Sequence, residues 1–181
     1  PGDIVECGVA CGHGLTEFML NFDLLHQTRN YWGFDSFQGF PPPQNADKGT
    51  HITAGEYATS PELVLKVLEV ARIPREIIDN HLKLVRGFFE DTLDQYDGQI
   101  ALLHLDCDLY DSYRVCLEQL YDKVVDGGVI MFDEYHDPKF PGAKKAIDTF
   151  FADKPETPTC RTAERYFVQK AAVSTKHLQA A

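Results

Sequence analysis

Long apolar runs are missing from this chain. Its longest apolar stretches are strand-length, far short of the roughly 20 residues that a membrane-crossing helix needs, and no signal-peptide pattern is read at its start. Basic side chains are also scarce. Seventeen Lys and Arg against twenty-eight Asp and Glu give a net charge of −11 over 181 residues. Such a field repels phosphate backbones and anionic lipid, which argues against nucleic acid or a membrane as partner, although a local basic pocket can persist inside it. Cysteine is sparse and odd in number: Cys7, Cys11, Cys107, Cys116 and Cys160, with no C-x-x-C pair. This reads as reduced, mostly buried thiols of a cytoplasmic protein, not as a disulfide or zinc framework. There is no G-x-S-x-G elbow, no His-paired cysteine nucleophile and no internal repeat.

What is present is ordinary globular composition, 44% hydrophobic and 25% charged, at a length that fits one domain. That domain is expected over residues 1–170, with a frayed tail over 171–181. Apolar strands are predicted at Asp3–Cys7, Tyr31–Phe37, Leu82–Phe89, Ile100–Leu105 and Val129–Phe132. Helices are predicted at Leu15–Gln27, from Ser60-Pro61-Glu62 onward, at Asp111–Val124 and at Gly142–Phe151. Asp126-Gly127-Gly128 is expected to end the third of these helices, and one or two short strands to lie within Thr159–Gln169. The segment Gln38–Ser60, with Pro41-Pro42-Pro43, His51 and Tyr57, is too long for a plain connection and reads as a functional loop. Five βα repeats of buried strands imply an α/β fold, a doubly wound and mainly parallel sheet with helices on both faces. The chain opens directly on a core strand at Pro1-Gly2-Asp3-Ile4-Val5, from which missing N-terminal residues are expected.

In such sheets a ligand sits outside the carboxyl ends of the strands. Acids follow every predicted strand: Glu6 before Gly8 and Gly12, Asp35, Glu90 and Asp91, Asp106 and Asp108, then Asp133 and Glu134 before His136. Gly8 and Gly12 would let the backbone approach a ligand, or serve only a tight turn. A dinucleotide fingerprint fails there, because Ala10 and His13 stand where it needs glycines. Asp35 suits the acid that binds ribose hydroxyls, or a turn aspartate. Asp106, Asp133 and Glu134 would converge from adjacent strand ends. Three carboxylates repel one another unless a hard divalent cation joins them, and an all-oxygen set points to Mg²⁺, Mn²⁺ or Ca²⁺ over zinc, the alternative being that some of these acids cap helices or bind a cofactor's amino group. His104, inside a strand, reads as a packed histidine, whereas His136 lies in a loop where a base of near-neutral pKa would be useful.

Pro1–Val9, Gly33–Pro41, Gly87–Leu93, Leu105–Tyr110 and Gly127–Tyr135 together resemble the macrocin/mycinamicin O-methyltransferase family, in order along the chain to about Phe151. The resemblance implies a Rossmann-like class I methyltransferase fold, S-adenosylmethionine as methyl donor, Mg²⁺ (or Mn²⁺), and a small-molecule, sugar-like hydroxyl acceptor. It implies that Gly8 and Gly12 approach the methionine end of the cofactor, Asp35 its ribose, and Phe89 and Glu90 the adenine, with Glu6 and Ser36 also among the cofactor-binding residues and Asp106 bordering the donor. Asp106, Asp133 and Glu134 match the family's metal positions, with Glu134 where aspartate is common. The family's N-terminal lid helices have no counterpart here. The implied reaction is in-line methyl transfer with Asp106, Asp108 or His136 taking the proton. A homo-oligomer is compatible with the sequence. A nicotinamide-dependent oxidoreductase on a sugar nucleotide would need no metal, a non-catalytic adenosyl-binding relative would lack the metal acids, and a catechol acceptor would want a flat apolar pocket.

Overall fold

The computed structural model describes residues 1–161 and 165–172. Seven strands form one sheet in the order β3-β2-β1-β4-β5-β7-β6. They are β1 (Asp3–Cys7), β2 (Tyr31–Asp35), β3 (Leu82–Arg86), β4 (Ile100–Leu105), β5 (Val124–Phe132), β6 (Thr159–Cys160) and β7 (Tyr166–Gln169). The first five pair in parallel, and β7 and β6 close the far edge antiparallel. The chain order reverses between β1 and β4, so the crevice for a ligand opens at their carboxyl ends.

Helices cover both faces, as the buried strands require. One core gathers Leu15 and Met19 of α1 (His13–Leu24), Val64 and Leu68 of α2 (Pro61–Val70) and Ile78 of α3 (Arg75–His81) around Ile4 and Tyr31. The other gathers Tyr113, Cys116 and Leu117 of α5 (Tyr110–Leu120) and Ala143 and Ile147 of α6 (Pro141–Phe151) around Leu103, Leu105 and Ile130. A short α4 (Phe89–Thr92) follows β3. Helix α2 begins as its sequence dictates. Pro61 occupies the first turn, and the Leu63 N–H donates to Ser60 Oγ at 3.2 Å. Among the described residues no helix is long and apolar enough to cross a membrane. Of the expected tail, residues 173–181 lie outside the described residues.

Three expectations need correction. Asp126-Gly127-Gly128 does not end a helix. Helix α5 stops at Leu120, a 3₁₀ turn spans Tyr121–Lys123, and the glycines lie inside β5. Their backbone is taken by the neighbouring chain: Gly127 N–H donates to the Lys170 carbonyl at 2.9 Å, and Lys170 N–H to the Gly128 carbonyl at 2.8 Å. Strands β2 and β3 end earlier than predicted, at Asp35 and Arg86, because Phe37 (φ 53°) and Gly87 (φ 147°) turn the chain out of the sheet. Helix α3 was not foreseen. Its signals are Pro74 just ahead and the Arg75–Asp79 pair one turn apart, 2.9 Å in the structure.

Gly8 shows how tightly the first crossover is built. Its φ is +92°, and a Cβ there would lie 1.8 Å from the Asp106 carbonyl oxygen. The glycine is therefore demanded by the neighbouring strand end, whatever ligand lies above it. Gly8→Ala should cost about 2–5 kcal/mol, the sum of a left-handed alanine and a forced displacement of β4. Denaturant titration checks this, and a midpoint equal to that of the wild type would contradict it.

Candidate active site

A cavity of about 580 Å³ opens at the carboxyl ends of β1, β2 and β4, as the topology requires. Gly8, Asp35, Ser36, Phe89, Glu90 and Asp106 of the expected cofactor residues line it. Its roof comes from the long loop, through Phe40, His51 and Tyr57, and from Lys139 and Phe140 ahead of α6. Phe40 and Tyr57 meet edge to face at 5.6 Å.

Asp35 is fixed by the turns on either side of it. Its Oδ2 accepts the Ala10 N–H at 2.8 Å and its Oδ1 the Phe37 N–H at 2.6 Å. Both donors belong to residues with positive φ, 46° and 53°, so the carboxylate stabilises two turns that the backbone would otherwise resist. Each oxygen keeps a lone pair for a ligand hydroxyl. The turn role thus leaves the expected ribose role open to the same side chain. Ser36 makes a local turn of its own, donating to the Gly39 carbonyl at 2.8 Å and accepting from Gln38 N–H at 3.0 Å.

Glu6 and Gly12 stand elsewhere than expected. Glu6 is buried beneath the start of α1, where Oε2 accepts the Leu15 N–H at 3.1 Å and Oε1 meets His104 Nδ1 at 2.8 Å. Burial pushes its carboxyl above the usual range, and the His104 hydrogen bond pulls the other way. His104 is the packed histidine foreseen from its place inside a strand. Gly12 packs on α2, where a Cβ would lie 2.8 Å from Val64 Cγ1. Neither residue lines the cavity.

At the ends of β4 and β5 the structure brings together Asp106, Asp108 and Glu134, with one oxygen of each lying within 4.8 Å of the others. Asp133 was expected in this group and stands apart. Phe132 of β5 pairs antiparallel with Tyr166 of β7, so the next residue on each strand, Asp133 and Arg165, face each other and form an ion pair. Glu134 is buried, and its Oε2 lies 2.6 Å from the Tyr113 hydroxyl and accepts the Asp108 N–H at 3.2 Å. Burial and then the charges of Asp106 and Asp108 push its carboxyl far above the usual range. Burial, with Asp106 and Asp137, pushes Asp108 up to about 7. Asp108 also holds a positive φ of 60°, a strain that clusters at functional sites. Crowded like charges of this kind are relieved by a proton or a cation, and an all-carboxylate set fits a hard divalent ion.

His136 is exposed and packs against Tyr135 and Tyr166 at ring distances of 4.9 and 4.7 Å, and it does not line the cavity. Two residues of the site escaped the sequence reading. Asp47, in the long loop, is 2% exposed and accepts the Gln44 N–H at 2.9 Å and the Tyr110 N–H, which opens α5, at 2.7 Å. It ties the roof to the helix that carries Tyr113. Tyr113 is buried on α5, and its hydroxyl reaches Glu134.

The sequence pattern of the family described as Macrocin-O-methyltransferase (TylF) matches residues 1–160. The demethyldecarbamoylnovobiocin O-methyltransferase of Streptomyces niveus is 34% identical over 162 residues, 84% of this chain and 59% of that protein. The mycinamicin III 3''-O-methyltransferase of Micromonospora griseorubida is 28% identical over 161 residues, 83% of this chain and 60% of that protein. The chain thus spans about three fifths of the length of these relatives. Among solved structures, the O-methyltransferase NovP superposes with a TM-score of 0.83 at 28% identity, over 95% of this chain and 73% of that one. The calicheamicin methyltransferase CalS11 superposes with 0.79 at 25% identity, over 93% and 72%. The fold is that of the class I methyltransferases, and the chain belongs to the macrocin O-methyltransferase family.

Proposed function

We propose that this chain carries the donor site of an S-adenosylmethionine-dependent, divalent-cation-assisted O-methyltransferase acting on a hydroxyl of a sugar or related natural product. The observation that carries the reading is the meeting, in one cavity, of a ribose-type acid at the end of β2 with Asp106 and Asp108 beyond β4, which cluster with the buried Glu134. Asp35 holds the two ribose hydroxyls while its backbone partners keep it in place. Phe89 and Glu90 flank the adenine, and Gly8 leaves the methionine end room at the crossover.

Asp106 and Glu134 belong to both the expected and the observed carboxylate groups, and with Asp108 beside them they would hold the cation. Bound there, the donor supplies a methyl group on a sulfonium, and the cation supplies a Lewis acid that acidifies the acceptor hydroxyl. With donor and acceptor in place, in-line transfer would join the acceptor oxygen to the methyl carbon as the carbon–sulfur bond breaks, a thioether being the leaving group. Asp108, on the cavity wall two residues beyond Asp106, takes the hydroxyl proton. The loop aromatics Phe40 and Tyr57 exclude water above the reacting atoms.

One relative's name, that of a tetracenomycin 4'-O-methyltransferase of Streptomyces olivaceus, identifies an acceptor that carries a rhamnosyl group on a larger product, and such glycosides are the compounds to try. Incubation with methyl-labelled S-adenosylmethionine and a set of deoxysugar glycosides should place label on a sugar oxygen, read by mass spectrometry of the released sugar. Binding of NAD at micromolar strength, with no binding of S-adenosylhomocysteine in the same calorimeter, would overturn the reading.

A further inference from the structure

The third carboxylate of the cluster is a glutamate, one methylene longer than an aspartate and so freer by one torsion. A ligand that must stay within a few tenths of an ångström needs that freedom removed. We infer that Tyr113 is the positioning residue that removes it, holding Glu134 Oε2 with its hydroxyl so that Glu134 stays in the cluster with Asp106 and Asp108. The inference rests on the cation reading above.

The geometry is specific. The Tyr113 hydroxyl lies 2.6 Å from Glu134 Oε2 and 2.8 Å from the Leu105 carbonyl oxygen. It has one proton to give. Both the Leu105 carbonyl and Glu134 lie within its reach, and the shorter contact to a carboxylate, the stronger kind of acceptor, directs the proton to Glu134. A second donor, the Asp108 N–H at 3.2 Å, reaches the same Oε2. With two donors on one oxygen, the carboxylate plane is fixed and the other oxygen remains for a ligand.

The phenol is itself held rigidly. Tyr113 is fully buried on α5, its N–H donates to the Leu109 carbonyl at 3.0 Å, and Asp47 secures the start of that helix through the Tyr110 N–H. Tyrosine's length matches the position of the Glu134 oxygen. The pair works as one device: a longer carboxylate with a longer donor beneath it. Groups that orient metal ligands in this way typically contribute about 10–100-fold in metal affinity.

The test is titration of Mn²⁺, followed by electron paramagnetic resonance, into the full chain saturated with S-adenosylhomocysteine. Tyr113→Phe keeps the ring and removes only the hydroxyl. It should weaken Mn²⁺ binding about 10-fold or more and leave the S-adenosylhomocysteine affinity measured without metal within about twofold of the wild type, a split that a merely structural role would not produce. In a Glu134→Asp background the same substitution should cost little, since the shorter carboxylate cannot meet both the phenol and the cluster. Wild-type Mn²⁺ binding with equal binding by Tyr113→Phe would overturn the inference alone, and a wild type that binds no Mn²⁺ would overturn the cation reading with it. If Tyr113→Phe does not fold, the wild type still decides. The buried hydroxyl proton, seen by NMR in tyrosine-labelled protein, should shift on addition of Mg²⁺, and an unmoved resonance would refute the positioning role.

Discussion

Asp106→Asn should lower cation affinity at least about 100-fold and methyl transfer by roughly 10²–10³-fold, while leaving the metal-free protein as stable as the wild type or more so. The opposite signs follow from one cause. Asp106 raises the carboxyls of both Glu134 and Asp108 by its charge, so in the absence of a cation it is a repulsive neighbour. Removing that charge relieves the cluster and also removes the ligand. Functional sites often carry such a stability cost. Thermal denaturation in EDTA, paired with Mn²⁺ titration, reads both sides. A variant that is less stable and still binds Mn²⁺ as tightly would contradict the placement of Asp106 among the ligands.

The second large effect is expected at Asp35. Asp35→Ala deletes two charge-assisted ribose hydrogen bonds, each worth roughly 1.5–3 kcal/mol, so S-adenosylhomocysteine should bind at least about 100-fold more weakly. It also orphans the N–H of the buried Phe37, which the carboxylate now receives at 2.6 Å, while water can replace the carboxylate at the exposed Ala10 N–H. The fold should therefore weaken by about 1–3 kcal/mol as well. Asp35→Asn keeps one acceptor oxygen and should lose less on both counts. Calorimetry with unchanged S-adenosylhomocysteine affinity in Asp35→Ala would reduce Asp35 to a turn residue.

Much of this arrangement is legible in the amino-acid order because it depends on period and position. Strands β1 and β4 begin and end where their apolar runs do, and Ser60-Pro61 starts α2 as a cap and first-turn proline should. Acids at strand ends mark the crevice because parallel sheets deliver strand ends to one place. Side-chain partners are less legible, since they depend on register. Asp133 and Glu134 are adjacent in the chain yet face different neighbours: the β5–β7 register hands Asp133 to Arg165, while Glu134 turns inward to Tyr113. Glu6 and Gly12 fit the expected first turn by spacing, but α1 packs over the former and α2 against the latter. Asp47 is an ordinary polar loop residue until the fold brings α5 above it. Gly127-Gly128 has the form of a helix stop, but Lys170, just beyond β7, takes its backbone groups.

The claim on which the account depends is that Asp106 and Glu134 hold a divalent cation needed for methyl transfer. The direct measurement is transfer of labelled methyl from S-adenosylmethionine to a glycoside acceptor, before and after removal of divalent ions with EDTA, and again after addition of Mg²⁺. The account predicts that transfer stops in EDTA and returns with Mg²⁺, while S-adenosylhomocysteine binding persists throughout, because Asp35, Phe89 and Glu90 stand outside the carboxylate cluster. Transfer that continues unchanged in EDTA would contradict it.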